Sequence, residues 1–164
     1  MSCSTGLPAS SLEDVLETLR QGGAVMLLDY CRKAPAGYLF CAAASISEAN
    51  ICLMVNHARG VVLAALPERR IKELGLPMMS ATTHDSSPDL SISVEARHGV
   101  STGISAADRA RTLQMIAKTR HPTLDLVSPG HIFPVRAKNG GVLVRSAAPE
   151  AAVDLLIMSG IIPA

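Results

Sequence analysis

Three stretches of the chain hold residues that can do chemistry. His131 lies between two prolines in Pro129-Gly-His-Ile-Phe-Pro-Val-Arg136. Proline fixes its own φ and restricts the residue before it, and Gly130 permits an unusual dihedral. A rigid loop presenting one imidazole suits a general acid or base. A histidine that only hydrogen-bonds its own loop is the plainer alternative. Upstream, Ser101-Thr-Gly-Ile-Ser-Ala-Ala-Asp-Arg109 reads as a helix start. Ser105 is a good N-cap with Asp108 at the capping-box distance. Ser101 and Thr102 add hydroxyls, Gly103 lets backbone N–H groups approach a ligand, and Arg109 adds charge. Unpaired N–H groups at a helix N-terminus suit phosphate or carboxylate, although a simple capped helix with Arg109 in solvent fits the same residues. Arg145 closes the apolar run Gly140-Gly-Val-Leu-Val-Arg145, read as a short strand. Its guanidinium can offer a fixed fork to the same kind of anion.

The rest of the chain must position these groups. Its 164 residues suffice for one domain with a real core, and 48% hydrophobic content with a positive mean hydropathy of +0.30 fits a globule. A net charge of +1 gives no electrostatic case for nucleic acid or a charged membrane surface. Aromatic residues are 2% and Trp is absent, which argues against base-stacking platforms. Cys3, Cys31, Cys41 and Cys52 show neither C-x-x-C spacing nor a zinc pattern, so free thiols in a reducing cytoplasm are expected. Residues 1–9 are small and polar, lack the form of a secretory signal, and are expected to be disordered; residues 10–164 form the single domain. No apolar run is long enough to span a bilayer.

Periodicity and punctuation give the elements. A helix over 11–20 carries Leu12, Val15, Leu16 and Leu19 on one face, with Ser11 and Asp14 as its capping box. Residues 24–28 form a continuous apolar run, read as a buried strand, and 38–43 a second strand. Ser47 caps a helix ending near Arg59, residues 61–65 form a third strand, and Pro67 opens a short helix that Gly75 ends. A polar loop over 82–89 holds His84. Residues 90–94 alternate as a half-buried strand should. The helix from Ser105 runs to about Arg120, short strands at 132–135 and 142–144 flank a turn at Asn139-Gly140, and Pro149 opens a last helix with Ala152, Val153, Leu156 and Ile157 inward. Interleaved helices and strands, with both hairpin and crossover spacings, predict an α/β (α+β) three-layer sandwich with a mixed β-sheet. Cys41 and Cys52 read as core, while His98 and His121 read as surface.

From about Leu12 to Ala164 the chain resembles the 3,4-dihydroxy-2-butanone 4-phosphate synthase family. The likeness rests on S-T-G-I-S-A-A-D-R, P-G-H-I-F-P-x-R-A and G-G-V-L-x-R, with Leu66-Pro-Glu-Arg-Arg-Ile-Lys-Glu-Leu-Gly-Leu-Pro-Met-Met79 and Ser91-Ile-Ser-Val-Glu-Ala96, all in the family's order. The resemblance implies that family's sandwich fold. It also implies conversion of ribulose 5-phosphate to a four-carbon phosphate and formate with magnesium, and a site shared between two subunits of a homodimer.

Two family motifs are altered. The acidic loop D-D-x-D-R-E-N-E-G-D corresponds to Asp29-Tyr-Cys-Arg-Lys-Ala-Pro-Ala-Gly-Tyr38, which puts Ala34 at the magnesium-binding glutamate and Lys33 at the arginine. The histidine of R-G-G-H-T-E falls on Ala148, and the family's C-terminal glutamate lies beyond Ala164, so the domain is expected to be truncated. Magnesium wants carboxylates and substrate oxygens, so no metal or other cofactor is expected, and the ribulose 5-phosphate lyase activity is expected to be lost. The expectation is then a repurposed, metal-independent lyase- or isomerase-type enzyme acting on a small anionic compound. His131 would be its acid/base, Arg145, Thr102, Ser105, Arg109 and Lys33 would hold the anion, and Cys31 is a conceivable nucleophile. The alternative is a non-catalytic homologue that binds a ligand or a protein partner. Either way a cytoplasmic homodimer is expected.

Overall fold

The computed structural model describes residues 9–30, 36–79 and 88–164. Ser11 caps α1 (Leu12–Arg20) by accepting the Asp14 N–H, and Leu19 is fully buried. β1 (Val25–Asp29) and β2 (Ala36–Phe40) pair antiparallel, from Val25 opposite Phe40 to Asp29 opposite Ala36. β1 is not the buried strand its apolar run predicted: Met26 is 62% and Leu28 47% exposed. A two-stranded ladder has only one covered face here, and it partly buries the alternate residues Val25 and Leu27, packed against the core.

Ser47 and Asn50 form a reciprocal capping box at α2 (Glu48–Leu53), which continues as a π-helical stretch over Met54–Ala58. β3 (Leu63–Pro67) begins two residues later than the sequence suggests and leaves Val61 74% exposed. It runs straight into α3 (Glu68–Glu73), with Pro67 at the N-cap. Then follow β4 (Val94–Ala96), α4 (Ala106–Lys118), the short α5 (Pro122–Asp125), β5 (Leu126–Ala137) and α6 (Ala148–Met158).

The order β3-β5-β4, parallel then antiparallel, makes a mixed sheet with β5 at its centre. Side chains alternate across a strand, and β3 uses both faces. Ala64 and Leu66 join Ile51, Leu113, Ile116 and Ile132 in the core beneath α2 and α4. Ala65 packs on the opposite core with Leu19, Phe40, Ala152 and Leu156, from α1, β2 and α6. Helices therefore cover both faces, giving the three-layer α+β sandwich.

Four local expectations need correcting. In residues 90–94 the serines face inward: Ser91 is 0% and Ser93 9% exposed. Their polarity is satisfied locally, since the Ser93 hydroxyl accepts the Gly130 N–H at 3.1 Å and the Ser91 hydroxyl donates to the Ile92 carbonyl at 3.1 Å. Residues 142–144 form no strand. Gly141–Leu143 is a 3-10 turn in which Asp154 of α6 accepts the Val142 N–H at 2.9 Å, taking a donor that a ladder would need, and Leu143 stands 95% exposed. On α6, Ala152, Val153 and Leu156 are buried as expected, but Ile157 is 58% exposed. Cys41 is buried, and burial pushes its thiol up to about 11, whereas Cys52 is exposed rather than core. Among the described residues no helix is long and apolar enough to cross a membrane.

Candidate active site

His131 projects from the middle of β5, its side chain 44% exposed, and meets the carboxylate of Glu95 on β4, which is only 10% exposed. The Nδ1–Oε2 distance is 2.6 Å. On the far side of the same carboxylate, the buried Thr112 hydroxyl of α4 donates to Oε1 at 3.0 Å. That hydroxyl in turn accepts the Ala96 N–H at 3.1 Å. The arrangement is an exposed imidazole backed by a buried, hydrogen-bonded carboxylate, which fixes the ring and suits proton transfer.

The loop before α4 closes over the carboxylate. Gly103 has φ of +81°, and a Cβ there would fall 1.9 Å from Glu95 Oε2. Gly103→Ala is therefore expected to cost at least the roughly 1–2 kcal/mol of a left-handed backbone, and to displace Glu95 as well. A lowered melting temperature together with lowered turnover checks this. Gly130 serves a different purpose from the one expected: its φ is not positive, but a Cβ would lie 2.1 Å from the Val94 carbonyl carbon.

The helix start is formed as predicted, with Ser105 accepting the Asp108 N–H at 3.0 Å. The neighbouring amides, however, already hold an anion, and it belongs to the protein. Asp108 accepts the Ser101 N–H at 3.2 Å, the Ser101 hydroxyl at 2.9 Å and the Gly103 N–H at 3.0 Å. Burial pushes the Asp108 carboxyl up, but the bonds from Ser101, Gly103 and Ser105 outweigh it and hold the group below its ordinary 3.8. A carboxyl depressed in the folded state adds stability above its unfolded value and loses it as pH falls through the folded one. Thermal melts taken from pH 7 to below 3.8 are expected to show a loss in the acid range that is smaller in Asp108→Asn.

The other predicted residues lie as follows. Thr102 is exposed at the loop tip and Ser105 is occupied as a cap. Arg109 is half-buried, with a buried Nε that has no hydrogen-bond partner among the described residues. Arg145 does not end a strand. Its Nε donates to Glu150 Oε1 at 2.7 Å, its NH2 lies 2.6 Å from the same oxygen, its NH1 reaches Asp89 at 3.3 Å, and NH2 donates to the Arg136 carbonyl at 3.0 Å. Arg136 is five residues beyond His131 on β5, a distance of about 17 Å along a strand. Within one chain His131 and Arg145 thus belong to separate clusters. Cys31, Lys33, Ala34, His84 and Asp85 lie outside the described residues.

Sequence reasoning passed over Glu95 and Thr112 as site residues. Their signals were present: Glu95 is the one charged residue of 90–96, on a strand otherwise made of small and apolar types, and Thr112 stands four residues after Asp108 on the same helix. Among the described residues no three His, Cys, Asp or Glu side chains gather to hold a metal; most of the loop that the resemblance assigns to magnesium, residues 31–35, lies outside the described residues.

Known proteins are similar to this chain along nearly its whole length. A 3,4-dihydroxy-2-butanone 4-phosphate synthase from Neisseria meningitidis serogroup B is 41% identical over 156 residues, covering 94% of this chain and 43% of the relative. One from Vibrio cholerae is 38% identical over 160 residues, covering 97% of this chain and 73% of the relative. Among solved structures, a two-domain synthase of the same name from A. baumannii superposes with a TM-score of 0.87 at 37% identity, covering 94% of this chain and 46% of that one. Another, in complex with two magnesium ions, gives 0.86 at 35% identity, covering 94% and 73%. The chain spans less than half the length of the first of these relatives.

These relatives overturn the expectation of lost synthase activity, and with it the readings of a repurposed lyase and of a non-catalytic homologue. That expectation weighed a few motif positions, chiefly Ala34 and Ala148, against everything else. Relatives 38–42% identical over 94–97% of this chain carry the synthase name. The structure also sets the His131 imidazole 2.6 Å from the Glu95 carboxylate. The family model for 3,4-dihydroxy-2-butanone 4-phosphate synthase matches residues 13–164, and the chain belongs to that family.

Proposed function

We propose that the chain catalyses the reaction its relatives are named for, formation of 3,4-dihydroxy-2-butanone 4-phosphate, with ribulose 5-phosphate as the substrate the resemblance implies. The observation that carries this reading is the exposed His131 imidazole seated 2.6 Å from the buried Glu95 carboxylate. His131 takes and returns protons on the sugar carbons and hydroxyls, and Glu95 holds its ring and balances the imidazolium charge that forms. Thr102 and Arg109, at the loop beside this pair, hold the substrate's phosphate; the buried Nε of Arg109 has no hydrogen-bond partner among the described residues. Arg145 supports the scaffold through Glu150 and Asp89. The enzyme works in the cytoplasm, as suits the making of a small phosphorylated precursor.

The purified chain incubated with ribulose 5-phosphate, with and without magnesium, is expected to release formate in proportion to enzyme. Formate at background in both arms would overturn the reading.

The working unit we propose is a homodimer. Support comes from apolar side chains left exposed, Met26 at 62%, Leu28 at 47%, Leu143 at 95% and Val144 at 64%, in a family whose site the resemblance places between subunits. Light scattering is expected to give twice the 17.2 kDa chain mass at micromolar concentration. A monomer mass throughout that range sinks the idea.

A further inference from the structure

We propose that Thr112 is a positioning residue for catalysis: through Glu95 it fixes which nitrogen of His131 carries the proton, leaving Nε2 as the bare, outward-facing base. The inference rests on the proposed role of His131 but reaches two shells behind it.

The direction follows from counting protons. Thr112 is 0% exposed, so both functions of its hydroxyl must be met inside the protein. The Ala96 N–H can only donate, so Thr112 Oγ1 accepts there. The single hydroxyl proton is then directed to Glu95 Oε1. Oε1 is an acceptor in this arrangement, so a proton between Glu95 and His131 has one place to be, the Oε2–Nδ1 contact. An imidazole is ordinarily about two pH units more basic than a carboxylic acid, so that proton rests on Nδ1. The hydrogen bond from Thr112 occupies Oε1 and leaves Oε2 as the oxygen that faces the ring. The loop passes close to the same carboxylate, since a Cβ built on Gly103 would fall 1.9 Å from Glu95 Oε2. Nδ1–H donates to Glu95, and the neutral ring presents a bare Nε2 on its exposed edge.

The test is the tautomer itself, read by nitrogen-15 NMR of histidine-labelled protein at a pH where His131 is neutral, assigned by comparison with His131→Gln. The wild-type spectrum is expected to show protonated Nδ1 and unprotonated Nε2. Thr112→Val keeps shape but removes the hydroxyl; it is expected to give a mixture of tautomers and a kcat lowered about tenfold, with KM little changed. Thr112→Ser is expected to restore both signals. A wild-type protein carrying its proton on Nε2 overturns the proposal, whether or not the valine variant folds. So does a valine variant with the wild-type tautomer. The NMR reading does not depend on turnover: absence of formate from the wild-type protein would remove the proposed function and leave the tautomer result standing.

Discussion

Replacing His131 with alanine is expected to lower kcat for ribulose 5-phosphate by about 10²–10⁴-fold, the usual contribution of a positioned acid or base. KM should change far less, because the imidazole works on protons in transit while the phosphate is held by other groups. Stability should fall less than turnover does, because the Glu95 carboxylate left behind keeps its hydrogen bond from Thr112. The ring is 44% exposed, and among the described residues its side-chain partner is Glu95. A drop in turnover with an unchanged melting temperature would therefore be chemical in origin. Glu95→Gln keeps the shape of the partner but removes its charge, so it should also lower kcat. Because the two residues act as a unit, the double variant should be hardly slower than His131→Ala alone. Strictly additive losses would show that Glu95 and His131 act separately. Wild-type kcat in His131→Ala would end the assignment of His131 as the proton carrier.

How much of this was legible in the sequence depends on the scale of the interaction concerned. Caps are local, and Ser11, Ser47 and Ser105 were readable from a few neighbouring residues. The three-layer mixed architecture followed from the interleaving of elements. His131 was readable because prolines flank it, although it sits on β5 and not in the rigid loop those prolines suggest. Its partner was not, since Glu95 lies 36 positions earlier and comes to it only through the β4–β5 pairing, which includes a register shift beside Val94. The 101–103 amides misled for a related reason. A pattern that can hold an external anion is equally well filled by an internal one, and only the fold shows that Asp108 turns back onto Ser101 and Gly103. Apolar runs such as 25–28 and 142–144 record hydrophobicity but not which sides are covered, and that is where the burial estimates failed. The inferred loss of activity failed differently. Single motif positions were read as decisive when similarity along the whole chain pointed to the synthases.

The largest effect on stability is expected at a residue with no part in the chemistry. Glu150→Ala should destabilise the fold by about 3–5 kcal/mol, the usual cost of stranding the other half of a buried ion pair. Glu150 is 0% exposed, and its Oε1 alone receives Arg145 Nε at 2.7 Å, Arg145 NH2 at 2.6 Å and the Lys138 N–H at 2.7 Å. Removing it leaves a guanidinium that is only 24% exposed facing a cavity. Asp89 cannot take over the whole charge, because it already lies 3.3 Å from Arg145 and 3.5 Å from Arg136. The melting temperature should fall by about 6–20 °C, at 2–4 °C per kcal/mol for a chain of this size. Substituting both partners with apolar residues, Arg145→Met with Glu150→Leu, should cost clearly less than Glu150→Ala, since a buried pair is dear to break but often cheap to replace whole. The same logic separates two roles for Arg145. If it is scaffold, Arg145→Ala must lower the melting temperature in the absence of substrate. If it is instead a phosphate ligand, melting without substrate stays put and only KM rises. Glu150→Ala melting within about 2 °C of wild type would show that the Arg145–Glu150 pair contributes under the ~1 kcal/mol typical of a surface bridge, and would return Arg145 to the anion site.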